Sequence, residues 1–157
     1  MTQYKHDLSV NNIDFSIMRD DRAWGDGQHE TTQHMMKLIS SCNIENKSII
    51  DVGVGTGILS ILCGKMGAKE IIGFDLDPLA LEWARRNLKV NNIENAEIMI
   101  NDLTRYYDGI ADIILANLPF SPQIDNCHLI KKKYASRFFV NYDMVESLAI
   151  GTACIWF

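Results

Sequence analysis

No stretch of about eighteen consecutive apolar residues occurs in this sequence, so nothing in it reads as a membrane span. The first ten residues are polar, carry Lys5 and Asp7, and lack an apolar stretch, so they do not read as a secretory signal. The four cysteines, Cys42, Cys63, Cys127 and Cys154, form no CxxC pair, and only Cys127 has a histidine, His128, beside it. No zinc spacing results, and no metal is expected. The cysteines read as reduced, mostly buried thiols of a cytoplasmic protein. Positive charge is also short. Fifteen Lys and Arg against twenty Asp and Glu leave a net charge of −5. That balance argues against a broad surface tracking phosphates, and leaves Lys131-Lys132-Lys133 as a small basic patch. Repeats, low-complexity tracts and an interdomain linker are absent too.

What is present is ordinary globular composition, with 47% hydrophobic and 22% charged residues in 157. A chain of this length makes about one domain and buries roughly two-thirds of its unfolded surface.

Leu8 to Met18 reads as two extended pieces around an Asn11-Asn12 turn. Arg19 to Glu30 reads as a loop. Thr31 or Thr32 can cap a helix to about Ser41, with Met35, Leu38 and Ile39 on its apolar face. A regular alternation follows. Ser48 to Val52 is a first strand, Ile58 to Met66 a helix, and Glu70 to Phe74 a second strand. Pro78 to Val90 is a helix with proline in its first turn; Glu97 to Ile100 and Ala111 to Ala116 are strands three and four. Apolar strands alternating with helices imply a mostly parallel sheet in a doubly wound, Rossmann-like α/β fold. Past Pro122 the pattern weakens. Gln123 to Ala135 reads as a helix, and the apolar Ala149 to Phe157 as a further strand. The abrupt apolar end suggests a fold that is incomplete at its C-terminus.

Ile50-Asp51-Val52-Gly53-Val54-Gly55-Thr56-Gly57 turns the first strand into a helix. Gly53, Gly55 and Gly57 suit a turn that takes positive φ and lets a ligand approach the backbone. Exposed N–H groups at a helix N-terminus then favour an anion or carboxylate. A dinucleotide site wants Gly-x-Gly-x-x-Gly, but Ile58 stands where its last glycine would be. Asp75 ends the second strand, where a carboxylate can accept both hydroxyls of a ribose. Asp77, directly before Pro78, takes the helix cap instead. Asn101 or Asp102, after strand three, can reach an adenine amino group. This combination resembles class I S-adenosylmethionine (SAM)-dependent methyltransferases. In such a site Asp51 sits near the ammonium of the methionine moiety, directly or through water, and Leu76 packs on the adenine.

After strand four comes Asn117-Leu118-Pro119-Phe120. A polar side chain there faces the ligand crevice of an open α/β sheet. The string resembles the Asn-Pro-Pro-Tyr/Phe motif of methyltransferases acting on planar nitrogens, with Leu118 replacing the first proline. The resemblance implies that Asn117 and a backbone carbonyl hold the acceptor nitrogen, that Pro119 stiffens the turn, and that Phe120 stacks on a planar group.

Ala23-Trp24-Gly25-Asp26-Gly27-Gln28-His29-Glu30-Thr31-Thr32 resembles the Phe-Gly-Thr-Gly-x-His-x-Thr-Thr signature of PrmA-type ribosomal-protein methyltransferases, which methylate amines of a large-subunit ribosomal protein. The likeness runs to Asn117. It implies SAM contacts from Thr32, Gly53, Asp75 and Asn117, with Thr31, Asp51, Gly55 and Gly57 beside them. That family carries a separate N-terminal substrate-recognition domain, whereas roughly 22 residues precede the signature here. The expected division is a short extension with a possible hairpin over residues 1–22 and a SAM-binding domain over residues 23–157.

The expected activity is methyl transfer to a nitrogen, with Asn117 and the Leu118 carbonyl holding the acceptor and His29 or Asp26 taking a proton through water. Three readings stand: a protein or peptide acceptor; a nucleobase or small metabolite; and a SAM-binding module that needs a partner.

Overall fold

The computed structural model describes residues 2–23, 25–100, 111–119, 135–143 and 154–156; for Pro119 and the last two stretches it is the course of the backbone that is described. Strands β1 (Tyr4–Val10) and β2 (Ile13–Arg19) pair antiparallel, from Tyr4 opposite Arg19 to Val10 opposite Ile13. The turn between them holds Asn11 and Asn12 at φ 48° and 65°. A two-residue turn that follows the strand twist needs positive φ at both central residues, and asparagine tolerates it. The expected hairpin is present, and β1 begins four residues before the expected Leu8.

Helix α1 (Glu30–Ser40) is capped by His29, not by Thr31 or Thr32. His29 is extended at φ −64° and ψ 136°, and its side chain accepts from the Thr31 N–H. The helix starts earlier than the threonines suggest because Glu30 fits the first turn, where the helix dipole favours an acid. Thr32 is thereby carried into the helix and buried.

The alternating elements are β3 (Ser48–Val52), α2 (Ile58–Lys65), β4 (Glu70–Asp75), α3 (Pro78–Val90), β5 (Ala96–Ile100), β6 (Ala111–Pro119), β7 (Ala135–Asp143) and β8 (Cys154–Trp156). The large sheet has the order β5-β4-β3-β6-β7-β8 and is parallel except for the antiparallel β7–β8 pair. This is the expected Rossmann-like α/β architecture. Asp77 caps α3 by accepting from the Leu79 N–H at 2.9 Å, with Pro78 in the first turn, as the sequence indicates.

Three differences bear on the site. β6 continues past Ala116 through Asn117, Leu118 and Pro119, because each of these pairs with β7, up to Pro119 opposite Asp143. Asn117 therefore sits in a strand, not in a loop after one. β7 has no counterpart in the sequence reading; Ala135, the expected end of a helix, opens it, and the rest of that expected helix lies outside the described residues. Within the expected strand Ala149 to Phe157, the described residues form the short β8.

Strand alternation sorts the core. Ile49, Ile71, Ile113 and Leu115 join Met35 and Ile39 of α1, Leu62 of α2, Leu88 of α3 and Ile17 of β2 in one cluster. Ile50, Phe74, Ile114 and Ala116 form a second cluster on the opposite face of the sheet. The described helices and the hairpin all pack on the first face. Truncating a fully buried member such as Ile61 should cost about 2–5 kcal/mol.

Candidate functional site

The order of the strands decides where a ligand can lie. β3 leads through α2 to β4 on one side, while β6 lies on its other side, so the winding reverses between β3 and β6. Ligands of open α/β sheets sit in the crevice at the strands' C-terminal ends at such a reversal. A cavity of about 660 Å³ occupies that place, within the range that takes a small organic ligand. Of the residues singled out from sequence, it brings together Asp26, His29, Thr31, Thr32, Asp51, Gly53, Gly55, Asp75, Asn117 and Leu118. Gly57 and Leu76 are not in its wall. Phe120 and Asp102 lie outside the described residues, and Pro119 ends β6.

The glycine turn presents few free N–H groups, against expectation. The Gly53 and Val54 amides both donate to the Phe74 carbonyl, at 2.8 and 2.9 Å. The Gly55 amide donates to Asp75 Oδ2 at 2.9 Å, and the Gly57 amide to the Val54 carbonyl at 2.8 Å. These donors satisfy the turn itself, so they do not form the open cradle that binds phosphate. The turn still needs its glycines. Gly53 has φ 71°, and a Cβ on it would run into the Leu118 side chain. Gly57 caps α2 at φ 84°, and a Cβ there would lie 3.3 Å from the Ala84 Cα of α3. Its role is to bring the two helices together, and this is why it lies off the cavity.

Instead of amides the cavity offers carboxylates. Asp51 is 1% exposed, and its Oδ2 accepts the Ser60 hydroxyl at 2.6 Å. Burial pushes its carboxyl up to about 6, against the pull of Ser60 and with a small push from nearby Asp75. An ionised buried carboxylate is costly without a cation beside it, so this wall of the cavity suits an ammonium group. Asp75, half-buried, holds the turn with Oδ2 on Gly55 and Oδ1 on the Asp77 N–H at 3.0 Å. A carboxylate has about four acceptor positions, so each oxygen keeps one for a ligand hydroxyl. Leu76 follows at 71% exposure.

The loop before α1 closes the cavity opposite the glycine turn. Arg19 pairs with Asp26 at 3.2 Å and donates to the Ala23 carbonyl at 3.1 Å. Asp26 also accepts from the Gln28 N–H at 2.9 Å, and the Thr56 hydroxyl donates to the Gly25 carbonyl at 2.6 Å. The His29 Nδ1 lies 2.8 Å from the Thr31 hydroxyl. The Asn117 side-chain amide donates to the Thr32 hydroxyl at 3.1 Å, tying β6 to the head of α1.

The sequence reading missed Arg19, Asp21, Arg22, Ile58 and Leu59, which also line the cavity. The apolar pair reads as helix core, and no spacing rule links Arg19 to Asp26. Among the described residues, no three His, Cys, Asp or Glu side chains converge as a metal would need. No described helix is long and apolar enough to cross a membrane.

A parallel sheet wound in this order, with a glycine turn after β3 and an acid ending β4, has the fold of Rossmann-like methyltransferases. The 16S rRNA N2 G1207 methyltransferase of T. thermophilus, solved in complex with AdoMet and guanosine, matches it with a TM-score of 0.73 over 88% of this chain and 42% of that one; at 16% identity the likeness is one of fold alone. The chain belongs to the ribosomal protein L11 methyltransferase (PrmA) family, whose family model matches residues 12–132. The ribosomal protein L11 methylase of Lactobacillus delbrueckii subsp. bulgaricus matches with a TM-score of 0.69 and 27% identity, over 77% of this chain and 63% of that one. The ribosomal protein L11 methyltransferase of Clostridium botulinum (strain Eklund 17B / Type B) is 43% identical over 96 residues, and that of Clostridium perfringens (strain SM101 / Type A) 38%. Those residues are 61% of this chain and 31% of each relative, so the chain spans under a third of their length.

Proposed function

We propose that this chain is the SAM-binding part of a methyltransferase that transfers a methyl group to a nitrogen of a protein or peptide, of ribosomal-protein type. The observation that carries the proposal is the presence of Asp51 and Asp75 beside one glycine turn in which the amides of Gly53, Val54, Gly55 and Gly57 are already paired. A dinucleotide site needs open N–H groups for a pyrophosphate. A site for SAM needs a carboxylate for an ammonium and another for a ribose, and the residues present fit that group. Asp51 would hold the ammonium, Asp75 the ribose hydroxyls, and Leu76 would cover the adenine. Thr31, Thr32, Gly53 and Gly55 would contact the rest of the ligand. Gly57 supports the turn from behind.

SAM, when bound, supplies an activated methyl group with its own leaving group. The chain's residues have to orient the acceptor, exclude water and hold a proton. Asn117, fixed by Thr32, and the Leu118 carbonyl would hold the acceptor nitrogen at the end of β6. Asp26, held by Arg19 and the Gln28 N–H, and His29, which caps α1, both line the cavity, and either would take the acceptor's proton through water. The cytoplasm is the compartment this function implies.

A second reading, a nucleobase or small-molecule acceptor, is favoured by the Asn117-Leu118-Pro119 string alone; a third is a SAM-binding module that needs a partner for activity. Incubation with methyl-labelled SAM and lysate, resolved into protein, RNA and small-molecule fractions, separates them. Label in protein is expected. Label in RNA or small molecules supports the second reading, and label in no fraction the third.

A further inference from the structure

We propose that Asn87 of α3 is a positioning residue for the SAM site: it holds the glycine turn through Thr56, whereas Asn91, one helical turn later, serves only to dock the N-terminal hairpin. The inference rests on the SAM reading above.

Asn87 is completely buried. Its Oδ1 accepts from the Met18 N–H at 2.8 Å, and its Nδ2 donates to the carbonyls of Met18 and Thr56, each at 2.9 Å. One turn later Asn91 repeats the pattern. Its Oδ1 accepts from the Ser16 N–H at 3.0 Å, and its Nδ2 donates to the Ser16 carbonyl at 2.7 Å and the Asn87 carbonyl at 2.8 Å. Four helical residues rise about 6 Å and two strand residues about 6.6 Å, so amides at i and i+4 match alternate residues of β2. The two side chains thus stand in for a neighbouring strand. An apolar residue in place of Asn87 would leave the buried Thr56 carbonyl and the partly buried Met18 N–H and carbonyl without this partner, with the largest desolvation cost at Thr56.

The two asparagines differ in one respect. Asn91 bonds only to β2 and its own helix, whereas Asn87 also bonds to Thr56. Thr56 is itself buried, sits between Gly55 and Gly57, and gives its hydroxyl to Gly25 of the loop before α1. Gly55 is the residue whose amide fixes Asp75. Asn87 therefore grips, through one threonine, both the turn that orients Asp75 and the loop that closes the cavity. Asn91 is the internal control: it docks the hairpin without reaching the turn. The family match begins at residue 12, so it includes β2.

The test compares Asn87→Ala with Asn91→Ala in the full chain, by SAM titration, by melting temperature, and by amide exchange of Gly55 and Gly57 in the ligand-free protein. Both variants should melt lower. Asn87→Ala should weaken SAM about tenfold or more and speed exchange at Gly55 by a similar factor, the scale set by losing one buried hydrogen bond. Asn91→Ala should change both by less than about threefold. If Asn87→Ala does not fold, Asn87→Ser, a neutral polar side chain too short to reach Met18 and Thr56 together, carries the same expectation. Equal effects of the two positions on SAM affinity and exchange, or none from Asn87, would overturn the proposal. If the wild-type chain does not bind SAM, the functional reading fails, and the exchange comparison still decides whether Asn87 holds the turn.

Discussion

The Gly55 amide and the Asp75 carboxylate lie 2.9 Å apart, so the acid that ends β4 is also the brace of the turn that ends β3. A ligand bound by Asp75 is thereby coupled to the shape of the glycine turn. Asp75→Ala should weaken SAM by about 1–3 kcal/mol, the usual cost of losing hydrogen bonds to a charged group. Calorimetric titration measures it; unchanged affinity would remove Asp75 from the ribose role.

Asn117→Ala should lower turnover more than SAM affinity, because its proposed task is to hold the acceptor. A misplaced acceptor costs up to roughly 100-fold in rate. Thr32→Val, which removes the acceptor of the Asn117 amide, should shift turnover in the same direction by less. Equal losses in kcat and in SAM affinity for Asn117→Ala would make it a cofactor ligand only.

Asp51 predicts a pH dependence of known sign. Its folded value, about 6, lies above the ordinary 3.8, so the folded state binds the extra proton. Stability from this group is therefore greatest below pH 4 and declines as pH rises to 6, by roughly 3 kcal/mol. Asp51→Asn should flatten that part of the stability profile and raise stability at pH 7. It should also weaken SAM, since the ammonium loses its counter-charge. In the wild type, SAM affinity should fall as pH drops below about 6. Urea denaturation of both chains between pH 4 and 8, with and without SAM, checks each sign.

Gly53→Ala should destabilise the chain and weaken the ligand together. Its φ of 71° disfavours alanine by about 1–2 kcal/mol, and the added Cβ meets Leu118. Leu118→Ala on that background should recover the part due to the collision and leave the part due to φ. Thermal melts of the two single variants and the double variant separate them; no recovery would mean the collision relaxes unaided.

Much of the fold was legible because its signals are local. Apolar runs mark β3 to β6, Asn11-Asn12 marks the hairpin turn, and Asp77-Pro78 marks the start of α3. The head of α1 was misread because two threonines outrank a histidine as caps by propensity, and Glu30 decided otherwise. The extension of β6 was hidden because pairing with β7, not local preference, keeps Asn117 to Pro119 extended. In the site, glycines and acids at strand ends were readable from position. The amides' internal bonds were not, since Gly53 and Val54 share a carbonyl from β4 that only the sheet register supplies. Asn87 and Asn91 looked like ordinary polar helix residues because their partners lie 69 and 75 positions away.

Titration of the purified chain with SAM and, separately, with NADH tests the central claim most directly. Saturable binding of SAM, abolished or strongly weakened in Asp75→Ala, with no binding of NADH, is the expected result. Binding of NADH without SAM would contradict it.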